Sequence, residues 1–265
     1  MTTPLGAAVA SSSEIPVGRN RLTDKIVLIF GAGSVGDGWG NGKAASVAYA
    51  REGATASIIG ELGGRVSSHT ADVTSSGDVK VVSAGKGADL SSSGGDVRID
   101  RVDGGLTAST FGGDIVAGDV TGEARLRTMG GDVRLRSAKG AVSAKTAGGD
   151  VRLMRASGPV VAETAGGEVF CEIVGRDAGV ELSTGGGDVT LVLPANFRGD
   201  VDVTVRSVDA EGDYVVSEFP EISVVRTRSP RQGLVRAEGR LNGGGAKVSV
   251  SASSGTVHLR KGPPA

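Results

Sequence analysis

An acidic residue follows paired glycines at a fixed interval along most of this chain. Asp96, Asp114, Asp132, Asp150, Glu168 and Asp188 each close such a turn, and Asp78 stands at the same phase one interval earlier. The step is 18 residues from Asp78 to Glu168 and 20 from there to Asp188. Carboxylates and turn carbonyls are hard oxygen donors, so such a column could hold calcium. The competing chemistry is internal: each Asp accepts amide hydrogens within its own turn and pairs diagonally with Arg98, Arg134 or Arg152. The spacing favours this second reading, because the calcium-binding nonapeptide repeat places Gly and Asp more densely. No metal ligand is therefore assigned.

Other reactive side chains are few. His69 and His258 are the only histidines and lie near opposite ends of the repeats, which leaves no Cys/His cluster. Cys171 is the only cysteine, so no disulfide forms within the chain, and its place in an apolar column predicts burial. Gly42-Lys43 is followed by Ala44 and has Asp37 five positions before Gly42, so it fails as a phosphate-binding Walker loop. No nucleophile-elbow motif is present, and no catalytic residue is assigned.

The elements that position these groups share their interval. In the unit Gly130 to Ala147, GGDVRLRSAKGAVSAKTA, two short alternating segments each follow a glycine-containing turn, the signature of two strands. Val133 and Leu135 share one face, and Asp132, Arg134 and Arg136 the other. The columns recur: Val97, Ile115, Val133, Val151, Val169, Val189, with a corner column Val102, Val120, Ala138, Ala156, Val174. The second strand adds Leu106, Ala124, Val142, Val160, Val180 and ends on Thr110, Thr128, Thr146, Thr164, Thr184. Such self-similarity predicts an all-β fold, a parallel β-solenoid with 18 residues per coil. A narrow coil explains the 3% aromatic content, and the 45 glycines are expected where the chain turns with positive φ.

Residues 25–53 read differently, as strand, glycine loop and helix. Ile26 to Phe30 is an apolar β-branched run, and Lys43 to Arg51 has helical composition. Gly31, Gly33 and Gly36 satisfy G-x-G-x-x-G between them, where exposed amides could meet a pyrophosphate. With the Gly-Trp-Gly-Asn-Gly loop and Ala71-Asp72-Val73-Thr74, this stretch resembles the opening βα unit of the short-chain dehydrogenase/reductase family. The resemblance implies NAD(P) at Gly31, Gly33 and Gly36. That family's Tyr-x-x-x-Lys pair is missing, since Tyr49 is followed at that spacing by Gly53 and Tyr214 by Glu218. A cap over the end of the solenoid, with no cofactor, is the favoured alternative. The expected organisation is a disordered tail over 1–20, a Rossmann-like fragment or cap over 21–56, and the solenoid over 57–265.

From Ala56 onward the recurring GGDVRL and GGDVRID, the Leu193-Pro194-Ala195 step and the closing Ala246 to Leu259 strands resemble the bacterial adhesin-like β-strand-repeat family. The resemblance implies a non-enzymatic structural or surface-interaction module with a protein or cell-envelope partner. The alternative is a truncated or fused reductase-like protein that retains its nucleotide loop. A net charge of −1 without a basic block gives no footprint for nucleic acid, and no run approaches a membrane-spanning length. Met1 to Pro16 lacks the features of a secretory signal, which reads as cytoplasmic, whereas the family resemblance reads as envelope-associated. Phe197 and Phe219 are expected to shield the far end of the core, and unshielded ends would permit self-association.

Overall fold

Alternation of small apolar and polar residues leaves each short strand with one dry face, which only stacking on another coil can cover. The computed structural model describes residues 26–30, 55–59, 62–64, 71–75, 77–207, 212–229 and 232–265. Its strands are β1 (Ile26–Phe30), β2 (Thr55–Ile59), β3 (Leu62–Gly64), β4 (Ala71–Ser75), β5 (Val79–Ala84), β6 (Gly87–Ser92), β7 (Val97–Val102) and β8 (Gly105–Thr110). They continue as β9 (Ile115–Val120), β10 (Ala124–Arg127), β11 (Val133–Ala138), β12 (Val142–Thr146), β13 (Val151–Ala156), β14 (Val160–Thr164), β15 (Val169–Ile173) and β16 (Val180–Thr184). The last are β17 (Val189–Pro194), β18 (Gly199–Ser207), β19 (Val215–Ser217), β20 (Ile222–Ser229), β21 (Gln232–Leu241), β22 (Ala246–Ala252) and β23 (Val257–Gly262).

Alternate strands fall into two sheets, as an all-β solenoid requires. One has the order β1-β2-β4-β6-β8-β10-β12-β14-β16-β22-β18-β21-β20, the other β19-β23-β17-β15-β13-β11-β9-β7-β5-β3. From β5 to β15 pairing is parallel with an 18-residue offset, as in Val133 beside Val151 and Val142 beside Val160. Each column named from the sequence therefore stacks on itself, and Val97, Ile115, Val133, Val151, Val169 and Val189 are all buried. At roughly 1.5–3 kcal/mol per buried aliphatic side chain, these columns supply the main driving force. The predicted N-terminal strand exists as β1, paired in parallel with β2 at the head of the first sheet. The rest of that unit, Gly31 to Arg51, and the 1–20 tail lie outside the described residues.

Three details differ from expectation. The corner residue of β15 is Ile173, not Val174: Ile173 pairs with Ala156 and is buried, whereas Val174 is half-exposed. Strands β5, β7, β9, β11 and β13 of the second sheet spend one extra residue before the corner, as when β13 turns inward at Val151, Leu153 and Ala156, with Arg155 at φ 50. Strand β15 drops that residue and alternates straight through Val169, Cys171 and Ile173.

The second difference concerns glycine. None of the glycines of the Gly-Gly-Asp turns has positive φ; what recurs is close approach. A Cβ on Gly131 would fall on the carbonyl of Gly113, and one on Gly149 on that of Gly131, so no side chain fits where corners stack.

The third lies past Pro194, where antiparallel strands enter an otherwise parallel assembly. β21 pairs antiparallel with both β18 and β20. This hairpin buries Val235, Ala237 and Leu241 together with Phe197 and Phe219. The two aromatics are thus core residues at this end of the molecule, and Lys261 lies over the Phe219 ring at 5.2 Å.

Candidate functional site

Every inward column is filled, so chemistry is confined to outward faces and corners. At one corner a buried hydroxyl ties two coils together. Thr164 Oγ1 donates to the Gly149 carbonyl of the preceding coil at 2.8 Å and accepts the Gly167 amide of its own turn at 3.1 Å. Thr110, Thr128, Thr146 and Thr184 repeat the arrangement, and Ser92 substitutes with Oγ to Gly77 at 2.8 Å. These side chains serve backbone satisfaction and are not available as nucleophiles.

The acidic column forms a second inter-coil ladder. Asp96, Asp114, Asp132 and Asp150 donate their backbone amides to Oδ1 of Asp78, Asp96, Asp114 and Asp132 at 2.8–2.9 Å, and Glu168 donates to Asp150 at 2.8 Å. The carboxylates accept amide hydrogens as expected, but from the following coil and not from their own turn. The cause is competition: the turn's Gly amide is already held by the threonine hydroxyl. The second oxygen faces arginine, with Arg98 on Asp96 at 2.6 Å and Arg134 reaching both Asp132 and, diagonally, Asp114 at 3.1 Å. Asp96, Asp114 and Asp132, like charges one strand spacing apart, are thereby neutralised. Among the described residues no group of His, Cys, Asp or Glu converges as metal ligands.

One coil breaks the ladder. β15 carries Glu168, Phe170 and Glu172 outward, where β11 carries Asp132, Arg134 and Arg136 at its first three outward positions. The longer Glu168 side chain accepts no amide from Asp188, and the ladder resumes only where Thr256 donates to Asp188 Oδ1 at 2.7 Å. Phe170 takes the place of a cation beside Arg152, whose guanidinium lies 5.5 Å from the ring centroid. Among the described residues Arg152 has no carboxylate partner within ion-pair distance, unlike Arg98 and Arg134. Around this break lies a groove of about 320 Å³ lined by Arg134, Asp150, Arg152, Glu168, Phe170, Asp188 and Thr190.

Asp119 and Cys171, both of the second sheet, are shifted from their ordinary pKa values. On the same face Asp119 is pulled down to about 2, first by hydrogen bonds from Arg136 and then from Ser137, whose Oγ lies 2.6 Å away. On the opposite side of β15, burial pushes the Cys171 thiol up to about 12, with the Glu172 charge adding to it, so this cysteine is a packing residue.

The structure brings together the outward residues of the Asp and Arg columns and not the other candidates. Gly31, Gly33 and Gly36, with Tyr49 and His69, lie outside the described residues. His258 sits on β23 beside Thr190. The basic column Lys80, Arg98, Arg134, Arg152 is in register but interrupted by Val116, and its first two arginines of the ladder are ion-paired. The groove escaped sequence reasoning, although Phe170 in a mainly cationic column was the visible signal.

A family model described as Toastrack DUF4097 matches residues 66–260. No curated protein and no solved structure matches the chain.

Proposed function

Because the chain belongs to the Toastrack DUF4097 family, a β-solenoid family of unknown function, we propose that it acts as a rigid, non-enzymatic scaffold that holds a protein or cell-envelope partner on the outer face of its second sheet. One observation carries this reading: the ladder in which each carboxylate takes the next coil's amide is broken at Glu168 alone among the acidic residues from Asp78 to Asp188, in the coil where Phe170 stands beside Arg152. Packing does not require the change, since Glu168, Phe170 and Glu172 point outward. What it leaves is a half-buried ring with an arginine over it and an unengaged carboxylate, a combination of apolar anchor and free charge suited to macromolecular contact.

The test is retention on an envelope fraction and on a panel of soluble proteins, comparing the full chain with an Arg152→Glu/Phe170→Asp variant. Loss of retention in that variant, with retention kept by a Ser143→Glu control on the first sheet, supports the reading. Equal retention by both variants would refute it.

A further inference from the structure

The order of coils in space is not their order in the chain. After β17 the polypeptide skips one level and lays down β18 and β19, and only later returns to fill the gap. β22 lies in parallel between β16 and β18, with Val180–Thr184 on one side and Gly199–Val205 on the other. β23 lies between β17 and β19, against Val189–Pro194 and Val215–Ser217. Residues 246–262 therefore form an interposed coil whose every neighbour was made earlier in the chain.

Without that coil the remainder contains a slot with two facing parallel edges. Its walls expect Val248, Val250, Val257 and Leu259, all fully buried when seated. They also expect the Thr256 carbonyl for the Val189 amide at 2.9 Å and the Val257 amide for the Tyr214 carbonyl at 2.8 Å. The turn Asn242 to Gly245, with φ of 47, 88, 82 and 154, joins β21 to the coil. Asn242 holds this turn closed, its Nδ2 donating to the carbonyls of Phe197 at 2.7 Å and Ala195 at 3.2 Å. A left-handed non-glycine residue costs energy that an extended hinge releases.

We propose that the interposed coil is an exchangeable element, and that its partner is a second copy of this chain, each copy seating residues 246–262 in the slot of the other. The occupant follows from the slot itself, whose side-chain pattern, register and hydrogen bonds are complementary to this segment. Exchange needs no new interface, only an opened hinge, and reciprocal exchange between two copies closes as a symmetric pair.

Ser251 Oγ lies 3.1 Å from Ser183 Oγ across the β22 and β16 boundary, which supplies a reporter. In the full chain, Ser183→Cys/Ser251→Cys on oxidation joins the two strands within one molecule, and the native Cys171 stays buried and silent. The exchange experiment mixes the two single variants, Ser183→Cys and Ser251→Cys, under mild denaturant followed by dilution and oxidation. A covalent dimer in the mixture, absent from either variant alone, is the expected result, because only exchange sets one copy's position 251 against the other's position 183. Asn242→Val, which disfavours the left-handed turn, should raise the yield by about tenfold. A mixture that gives no dimer beyond the single variants, with either hinge, overturns the proposal. So does failure of the double variant to cross-link within the chain, since that removes the interposed placement itself.

Discussion

Replacing Thr164 by Val keeps the shape of the corner and removes its chemistry. The hydroxyl of this buried residue closes two hydrogen bonds, to the Gly149 carbonyl at 2.8 Å and from the Gly167 amide at 3.1 Å. Valine leaves one acceptor and one donor unmet, each at about 1–3 kcal/mol, partly offset by about 1 kcal/mol for the buried methyl. The expected loss is thus about 1–5 kcal/mol. Thr164→Ser keeps both bonds and forfeits a methyl, about 1 kcal/mol; Ser92 already fills this column with both bonds intact. Urea unfolding by circular dichroism gives the difference. Because a solenoid can open coil by coil, amide exchange at Gly167 against the distant Gly95 localises it. Equal stability of the valine and serine variants would show that the corner hydroxyls carry no weight.

Gly149→Ala should destabilise by about 1–3 kcal/mol or more, because its Cβ meets the Gly131 carbonyl, whereas Gly148→Ala should be tolerated, its Cβ lying 3.5 Å from the Gly130 carbonyl. Paired thermal melts decide this, and similar melting points refute it. Cys171 should resist alkylation in the native state at pH 8 and react on unfolding. Its folded pKa of about 12 lies above the ordinary 9.0, so stability is unaffected below pH 9 and falls as pH rises from there through about 12, an effect that Cys171→Ser should remove. Asp119 has the opposite sign: its pKa falls from 3.8 to about 2, so the stability it adds is present above the ordinary value and is lost as pH drops through about 2. Carboxylate titration by NMR checks the value, and Asp119→Asn should abolish that part of the acid dependence.

The 18-residue repeat made the solenoid legible because each column does one packing job and shows it in every coil. Val133, Leu135 and Val142 stand where alternation places them. The corner at Ile173 was hidden because the extra residue in β5, β7, β9, β11 and β13 is a matter of backbone geometry, which composition does not encode. The turn glycines were recognised for the wrong reason: their necessity comes from the neighbouring coil, which a single unit does not contain. The interposed coil was equally out of reach, since the alternation in Lys247 to Val250 marks a strand but not the level at which it is inserted. At the candidate groove the individual residues were visible, while their significance lay in departing from the repeated pattern.

The acidic ladder separates the role of charge from that of hydrogen bonding. Asp114 accepts the part-buried amide of Asp132 through Oδ1 at 2.9 Å and meets Arg134 through Oδ2 at 3.1 Å. Asp114→Asn retains the oxygen acceptor and loses the ion pair, which at this exposure is worth at most about 1 kcal/mol and is partly replaced by Arg134 remaining on Asp132. Asp114→Ala loses both and leaves the Asp132 amide to find water in a corner where backbones stack, an added cost of about 1 kcal/mol. If the column exists to register one coil on the next, the asparagine variant melts close to the parent and the alanine variant clearly below it, with amide exchange at Asp132 accelerated only in the latter. Equal damage from both substitutions would mean that the carboxylate charge, and not its oxygen, is what each coil requires. The departure at Glu168 would then be a local weakening of the rod.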